Sequence, residues 1–120
     1  MKIRLILIIF LLLTLSCSKK EVPDTSPKSS DQAYKIYNEA FTSMQRGDLF
    51  FASKKFTEAE QVMGISDYAS KSAIMSIYCL YSINFFDEAT AALDNFIKKY
   101  PADKNIEYAE YLYAIIYYEK

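Results

Sequence analysis

The chain has 120 residues, a net charge of −1, two cysteines and no histidine. Without histidine the chain lacks the commonest general base and the commonest metal ligand, so we expect that the protein is not an enzyme and binds no metal or cofactor. Its mild acidity disfavours binding to nucleic acid. Two glycines and three prolines leave too little turn chemistry for an all-β fold, while eleven tyrosines and eight phenylalanines must be buried or used in binding.

The first 16 residues have the parts of a secretory signal peptide. Lys2 and Arg4 precede an apolar run at 5–13 that is too short to cross a bilayer. Cys17 follows at the expected cleavage site and resembles the lipid-bearing cysteine of a bacterial lipobox. We therefore predict that Cys17 carries lipid, palmitate included. The alternative is an ordinary signal peptide beside an incidental cysteine.

Residues 17–31 combine this cysteine with a segment rich in serine, proline and charge. Such a composition buries too little apolar surface to fold, so we expect a flexible tether. Fourteen flexible residues span about 20 Å on average, which would hold the rest of the protein just off a membrane.

Residues 32–120 show the apolar spacing of amphipathic helices. We predict five helices in this region. Capping residues and helix breakers mark their boundaries, at Asp31, Gly47-Asp48, Gly64 to Asp67, Asn84 and Tyr100-Pro101. The fifth helix starts near Asp103 or Ile106 and runs to the end of the sequence. We therefore expect the helical domain to be truncated there.

The helix pairs repeat with a period of 37 residues. Ala52 aligns with Ala89, and Phe56 aligns with Leu93. Helix pairs at about this period are typical of tetratricopeptide repeats, so we predict an all-α, right-handed solenoid of about two and a half helix pairs. An irregular helical bundle is the alternative.

The sequence offers no catalytic constellation. Cys79 lies in an apolar helix and is better explained as a small core residue than as a reactive thiol. The acidic pairs Glu58/Glu60 and Asp87/Glu88 occupy helix starts or surface positions, where a solvated face is expected.

An aromatic surface is the best candidate for function. In tetratricopeptide arrays the first helix of each pair lines a concave groove, and eight of the positions so placed are our candidate peptide-binding residues: Tyr34, Tyr37, Phe41, Lys71, Tyr78, Tyr81, Tyr108 and Tyr111. Tyrosine suits this role because it offers apolar area and a hydrogen bond together. For Phe41, Tyr78 and the neighbouring Ile74, packing between helices is an equal alternative.

Several segments resemble the BamD (ComL-like) outer-membrane assembly lipoproteins. The most specific are Asp94 to Pro101 and Asn105 to Leu112, with Tyr37-Asn38 and Gly47-Asp48 also typical. The turn at 64–69 departs from the family, which usually has a proline there.

This resemblance implies a lipoprotein subunit of the machine that assembles outer-membrane β-barrels, anchored on the periplasmic face of the outer membrane. The implied partners are the barrel-forming, BamA-like subunit, other assembly lipoproteins and unfolded outer-membrane proteins. A second hypothesis keeps the fold and anchor but makes the protein a periplasmic scaffold of the cell wall or a secretion apparatus.

Overall fold

The computed structural model describes residues 27–64 and 66–120, and those residues contain helices and no strand. The predicted signal peptide, Cys17 and residues 18–26 of the predicted tether lie outside the described residues. The helices, in chain order, are α1 (Pro27–Gln45), α2 (Leu49–Met63), α3 (Asp67–Ser82), α4 (Phe86–Lys99) and α5 (Ile106–Glu119). None of these described helices is long and apolar enough to cross a bilayer.

Each helix packs against the next one along the chain, and α5 also contacts α3. Helices α1 and α2 form the first pair, α3 and α4 form the second, and α5 begins a third. This arrangement agrees with the predicted tetratricopeptide-type repeats.

Helix α1 begins earlier than predicted. Its first residue is Pro27, so Asp31 lies inside the helix and is not its N-cap, and residues 27–31 of the predicted tether are helical. Proline is favoured at the first helical position because it has no N–H to leave unpaired and its φ angle already suits a helix.

The predicted starts of α2 and α3 are confirmed by their capping geometry. The Asp48 side chain accepts a hydrogen bond from the Phe51 N–H (3.3 Å), and the Ser66 hydroxyl accepts one from the Ala69 N–H (3.2 Å). Gly47 and Asn84, which are 37 residues apart, both have positive φ angles, of 84° and 61°. The same left-handed turn therefore ends α1 and α3, which supports the repeat.

The period also explains which side chains form the core. Ala52 and Ala89 are completely buried, and so are their larger neighbours Phe56 and Leu93. A small residue allows close approach of the helices, and a large one fills the space one turn later. The buried thiol Cys79 packs beside Phe56, and burial raises its pKa to about 11, in keeping with the predicted core role.

The interface between α2 and α3 is unexpectedly polar. The Ser76 hydroxyl donates to the Ser53 carbonyl oxygen (2.9 Å) and lies 2.9 Å from the Thr57 hydroxyl. One period later, Ser76 corresponds to Tyr113, which packs against the larger of the two apolar cores. Each buried hydroxyl of this interface has a hydrogen-bond partner, so the interface between α2 and α3 incurs no desolvation penalty for unpaired polar groups.

A second polar contact connects the ends of α2 and α4. The Glu60 carboxylate accepts hydrogen bonds from the Tyr100 hydroxyl (2.9 Å) and from Lys99 Nζ (2.7 Å). The Tyr100 ring is buried against Phe96, 5.3 Å away between centroids. The Tyr100-Pro101 pair thus ends α4 and anchors that end to the preceding repeat.

Candidate functional site

The eight candidate residues all lie on α1, α3 and α5, the first helices of their pairs. Six of them are exposed, and Tyr37 and Tyr81 are half-buried. Contacts between neighbouring helices bring seven of the eight into two groups, and Phe41 is exposed one turn beyond Tyr37. Ile74, by contrast, is a core residue.

The first group, which we call the Lys71 patch, consists of Tyr34, Tyr37, Tyr68 and Lys71. The Tyr34 and Tyr68 rings meet edge to face with centroids 5.2 Å apart, which joins α1 to the start of α3. Lys71 Nζ lies 5.8 Å from the centroid of the Tyr37 ring, within cation–π range. The patch therefore combines one cation with three aromatic side chains.

Tyr68 was not among the predicted residues. It lies three positions before Lys71, one helical turn away, and it is as exposed as Tyr34. That i, i+3 relation to Lys71 was the available signal, but Tyr68 stands at the helix start, where the sequence suggested only a cap.

The second group, which we call the tyrosine patch, consists of Tyr78, Tyr81, Tyr108 and Tyr111. The Tyr108 and Tyr111 rings have centroids 6.2 Å apart, and the Tyr81 hydroxyl donates to Glu119 Oε1 (3.3 Å). Burial raises the pKa of Tyr108, and the nearby phenols of Tyr78, Tyr111 and Tyr81 raise it further.

The pKa of Tyr81 is also raised, first by burial and then by the Glu119 carboxylate. The phenols of Tyr81 and Tyr108 therefore stay protonated at neutral pH. The Tyr81 hydroxyl already donates to Glu119 and can still accept a hydrogen bond, whereas the Tyr108 hydroxyl can both donate and accept one. Chemically, the tyrosine patch offers uncharged hydrogen-bonding groups on an apolar surface, and it contains no nucleophile and base in contact.

Two candidate residues also serve the core. The Tyr37 ring packs edge-on against buried Phe56, with centroids 5.4 Å apart. Tyr81 packs against the larger apolar core, which contains Leu93 and Leu112, and its ring centroid lies 6.2 Å from that of Phe86. Tyr111 is 59% exposed and Tyr34 is 42% exposed, so these two rings have more of their surface available to a ligand.

An open cleft of about 530 Å³ lies elsewhere, between α1 and the start of α2. It is lined by Asn38, Glu39, Thr42, Ser43, Arg46, Asp48 and Phe51. Its lining is mostly polar, and it includes none of the candidate residues. Both of its carboxylates are already engaged: Glu39 pairs with Lys55 (3.4 Å), and Asp48 accepts a hydrogen bond from the Phe51 N–H (3.3 Å). We therefore place the candidate site on the two aromatic patches.

Paired helices with a 37-residue period, matching left-handed turns and an aromatic face on the first helices define a repeat protein of the tetratricopeptide type. A family model described as "Outer membrane lipoprotein" (YfiO) matches residues 29–120. The chain therefore belongs to this BamD-like family.

Curated relatives agree with this assignment. The chain is 33% identical over 85 residues to "Outer membrane protein assembly factor BamD" of Caulobacter vibrioides, covering 71% of this chain and 28% of that protein. It is 27% identical over 95 residues to the protein of the same name in two strains of Xylella fastidiosa, covering 79% of this chain and 31% of theirs. The chain thus spans less than a third of these relatives. No match to a solved structure is found.

Proposed function

We propose that this protein is a non-catalytic, lipid-anchored subunit of the outer-membrane β-barrel assembly machine, on the periplasmic face of the outer membrane. Its role there is to hold unfolded outer-membrane proteins on the Lys71 and tyrosine patches, beside a barrel-forming subunit and other lipoproteins. The observation that carries the proposal is the pair of exposed aromatic patches on the first helices of the repeats, α1, α3 and α5. The chain that presents them belongs to the outer-membrane lipoprotein family.

The chemistry of the two patches suits such a ligand. Strands of outer-membrane barrels alternate apolar and polar side chains, so an unfolded strand presents an apolar group to one side about every 7 Å. Tyrosine rings can cover these groups while their hydroxyls bond to the unpaired backbone of the strand. A surface of this kind binds many sequences because it recognises the alternation of apolar and polar side chains more than the identity of each side chain.

Crosslinking in cells tests the proposal. We expect a photoactivatable residue in place of Tyr111 to crosslink to newly exported barrel proteins before they fold. The matched control is the same substitution at Tyr117, which is 83% exposed and lies on the opposite side of α5 from Tyr108. Crosslinks from position 111 to folded envelope proteins alone would instead favour a cell-wall or secretion scaffold.

The anchor makes a separate prediction. Cys17→Ala should abolish incorporation of labelled fatty acid and release the protein from the membrane fraction, because one residue supplies the whole attachment. Cys79→Ala serves as the control, since that thiol is buried in the core. Fatty-acid labelling and fractionation measure the result, and continued labelling of the Cys17→Ala protein would refute the lipidation site.

A further inference from the structure

Glu60 differs from the other paired acidic side chains because it is largely buried and joins two helix pairs. Its side chain is 17% exposed, whereas the other carboxylates that form ion pairs among the described residues are at least 47% exposed. Its two partners, Lys99 Nζ (2.7 Å) and the Tyr100 hydroxyl (2.9 Å), both lie at the end of α4. One carboxylate near the end of α2 therefore holds the end of the second helix pair.

A second contact joins α2 to α4 at their other ends. The Phe50 ring at the start of α2 meets the Phe85 ring, just before α4, edge to face with centroids 5.8 Å apart. Start meets start and end meets end, so α2 and α4 run parallel and are fixed to each other at two points. Without Glu60, the end of α4 would lose its polar attachment, and the helix could tilt about its start.

The turn after Tyr100 connects this attachment to α5. The Tyr100 carbonyl oxygen accepts a hydrogen bond from the Asp103 N–H (3.1 Å), and the Asp103 carbonyl oxygen accepts one from the Ile106 N–H (3.1 Å). Ile106 is the first residue of α5. A short chain of hydrogen bonds thus leads from the residue held by Glu60 to the helix that carries half of the tyrosine patch.

We propose that Glu60 is a positioning residue for the aromatic surface: through Tyr100 it sets where Tyr108 and Tyr111 stand relative to the Lys71 patch. Glu60 itself lies on α2, a second helix, outside both patches. The inference rests on the proposed function and deepens it. A segment held on both patches at once requires the correct separation between them, whereas a segment held on one patch does not.

A distance measurement tests the positioning without any ligand. Nitroxide labels are attached at Lys35→Cys in α1 and Glu110→Cys in α5, two exposed positions, in the full chain. The native thiols are removed by Cys17→Ala and Cys79→Ala. A tilt of about 10° moves the end of a helix about 21 Å long by about 4 Å. We therefore expect double electron–electron resonance to show a distance distribution that broadens by about 4 Å in Glu60→Ala.

Two further variants make this measurement specific. Glu58→Ala is the matched control, because Glu58 pairs with Lys55 within α2 (2.9 Å) and should leave the distance distribution unchanged. Tyr100→Phe removes a single hydroxyl and keeps the buried ring, so it should fold and reproduce part of the broadening. An unchanged distribution in both Glu60→Ala and Tyr100→Phe would overturn the inference.

Two peptides of different length connect the positioning to binding. Both alternate aromatic and polar side chains and carry a fluorophore at the N-terminus. One has about five residues and covers a single patch, and the other has about ten residues, reaches about 33 Å when extended, and crosses both patches. In fluorescence anisotropy, Glu60→Ala should weaken binding of the long peptide about ten-fold and of the short peptide less than about two-fold.

The outcomes separate this inference from the proposed function. An equal loss of affinity for both peptides would overturn the role of Glu60, because it would indicate general loosening of the fold. Unchanged affinity for the long peptide would overturn it as well. If neither peptide binds the unmodified protein, the proposed function is refuted, and the distances between the labels then decide whether Glu60 positions α5.

Discussion

Phe56→Ala is expected to lower the free energy of unfolding by about 3–5 kcal/mol, the usual range for deleting a fully buried phenylalanine ring. Phe56 is 0% exposed and packs against Ala40, Ala52 and Cys79, with the Tyr37 ring at its edge. The small neighbours lie close to their helix backbones, so the packing around the vacated space cannot collapse without moving whole helices. Most of the volume of the deleted ring should therefore remain as a cavity.

The destabilisation is large relative to the total stability of a small domain, which is typically about 5–15 kcal/mol. We expect the melting temperature to fall by about 15 °C or more, measured by circular dichroism with urea titration as a second method. Phe51→Ala, which removes an exposed ring from the same helix, should cost less than about 1 kcal/mol. A comparable destabilisation in both variants would show that Phe56 is not packed as described.

Removing the two α5 rings of the tyrosine patch should have the largest effect on binding. We expect Tyr108→Ala/Tyr111→Ala to weaken binding of a fluorescently labelled peptide of about ten residues, with alternating aromatic and polar side chains, about thirty-fold, because truncating an aromatic side chain at a binding surface costs about 1 kcal/mol for each ring. The two rings lie side by side, 6.2 Å apart, and both are exposed, so helix content and melting should change little. Anisotropy titration and circular dichroism on the same samples measure the two effects.

Tyr117→Ala is the matched control for this variant, since it removes an equally large ring from another face of α5. It should bind the peptide with unchanged affinity. The single variants Tyr108→Ala and Tyr111→Ala should each show part of the thirty-fold effect. Unchanged affinity in the double variant would contradict the placement of the ligand on the tyrosine patch, even if peptide binding by the protein itself were confirmed.

The helix ends between α1 and α4 were predictable because local chemistry determines them. Gly47 and Asn84 are residue types that tolerate positive φ, and the Asp48 and Ser66 side chains cap the next N–H groups within their own turn. The start of α1 was predicted wrongly for a related reason. Asp31 is a good cap by type, but Pro27 is also a good first residue, and residue preference does not decide between two acceptable starts.

The polar contacts between helices were not predictable from local pattern. Ser53, Thr57 and Ser76 are 23 residues apart at their extremes, and only the packing of α2 on α3 brings their hydroxyls and a carbonyl together. In the same way, Glu60 is an ordinary surface acid by sequence until the end of α4 places Lys99 and Tyr100 against it. Such partners are distant in sequence, so periodicity within one helix carries no information about them.

The sequence by itself determined the all-helical repeat, its period of 37 residues, the core pairs Ala52/Phe56 and Ala89/Leu93, and the helices that carry the aromatic residues. These follow from residue size, capping chemistry and helical spacing, which act within one or two turns. Only the tertiary structure decided how those aromatics are shared between core and surface. It turns Tyr37 partly onto Phe56, adds Tyr68 beside Tyr34, and leaves Lys71 over an aromatic ring, because the distances between neighbouring repeats depend on how whole helices pack.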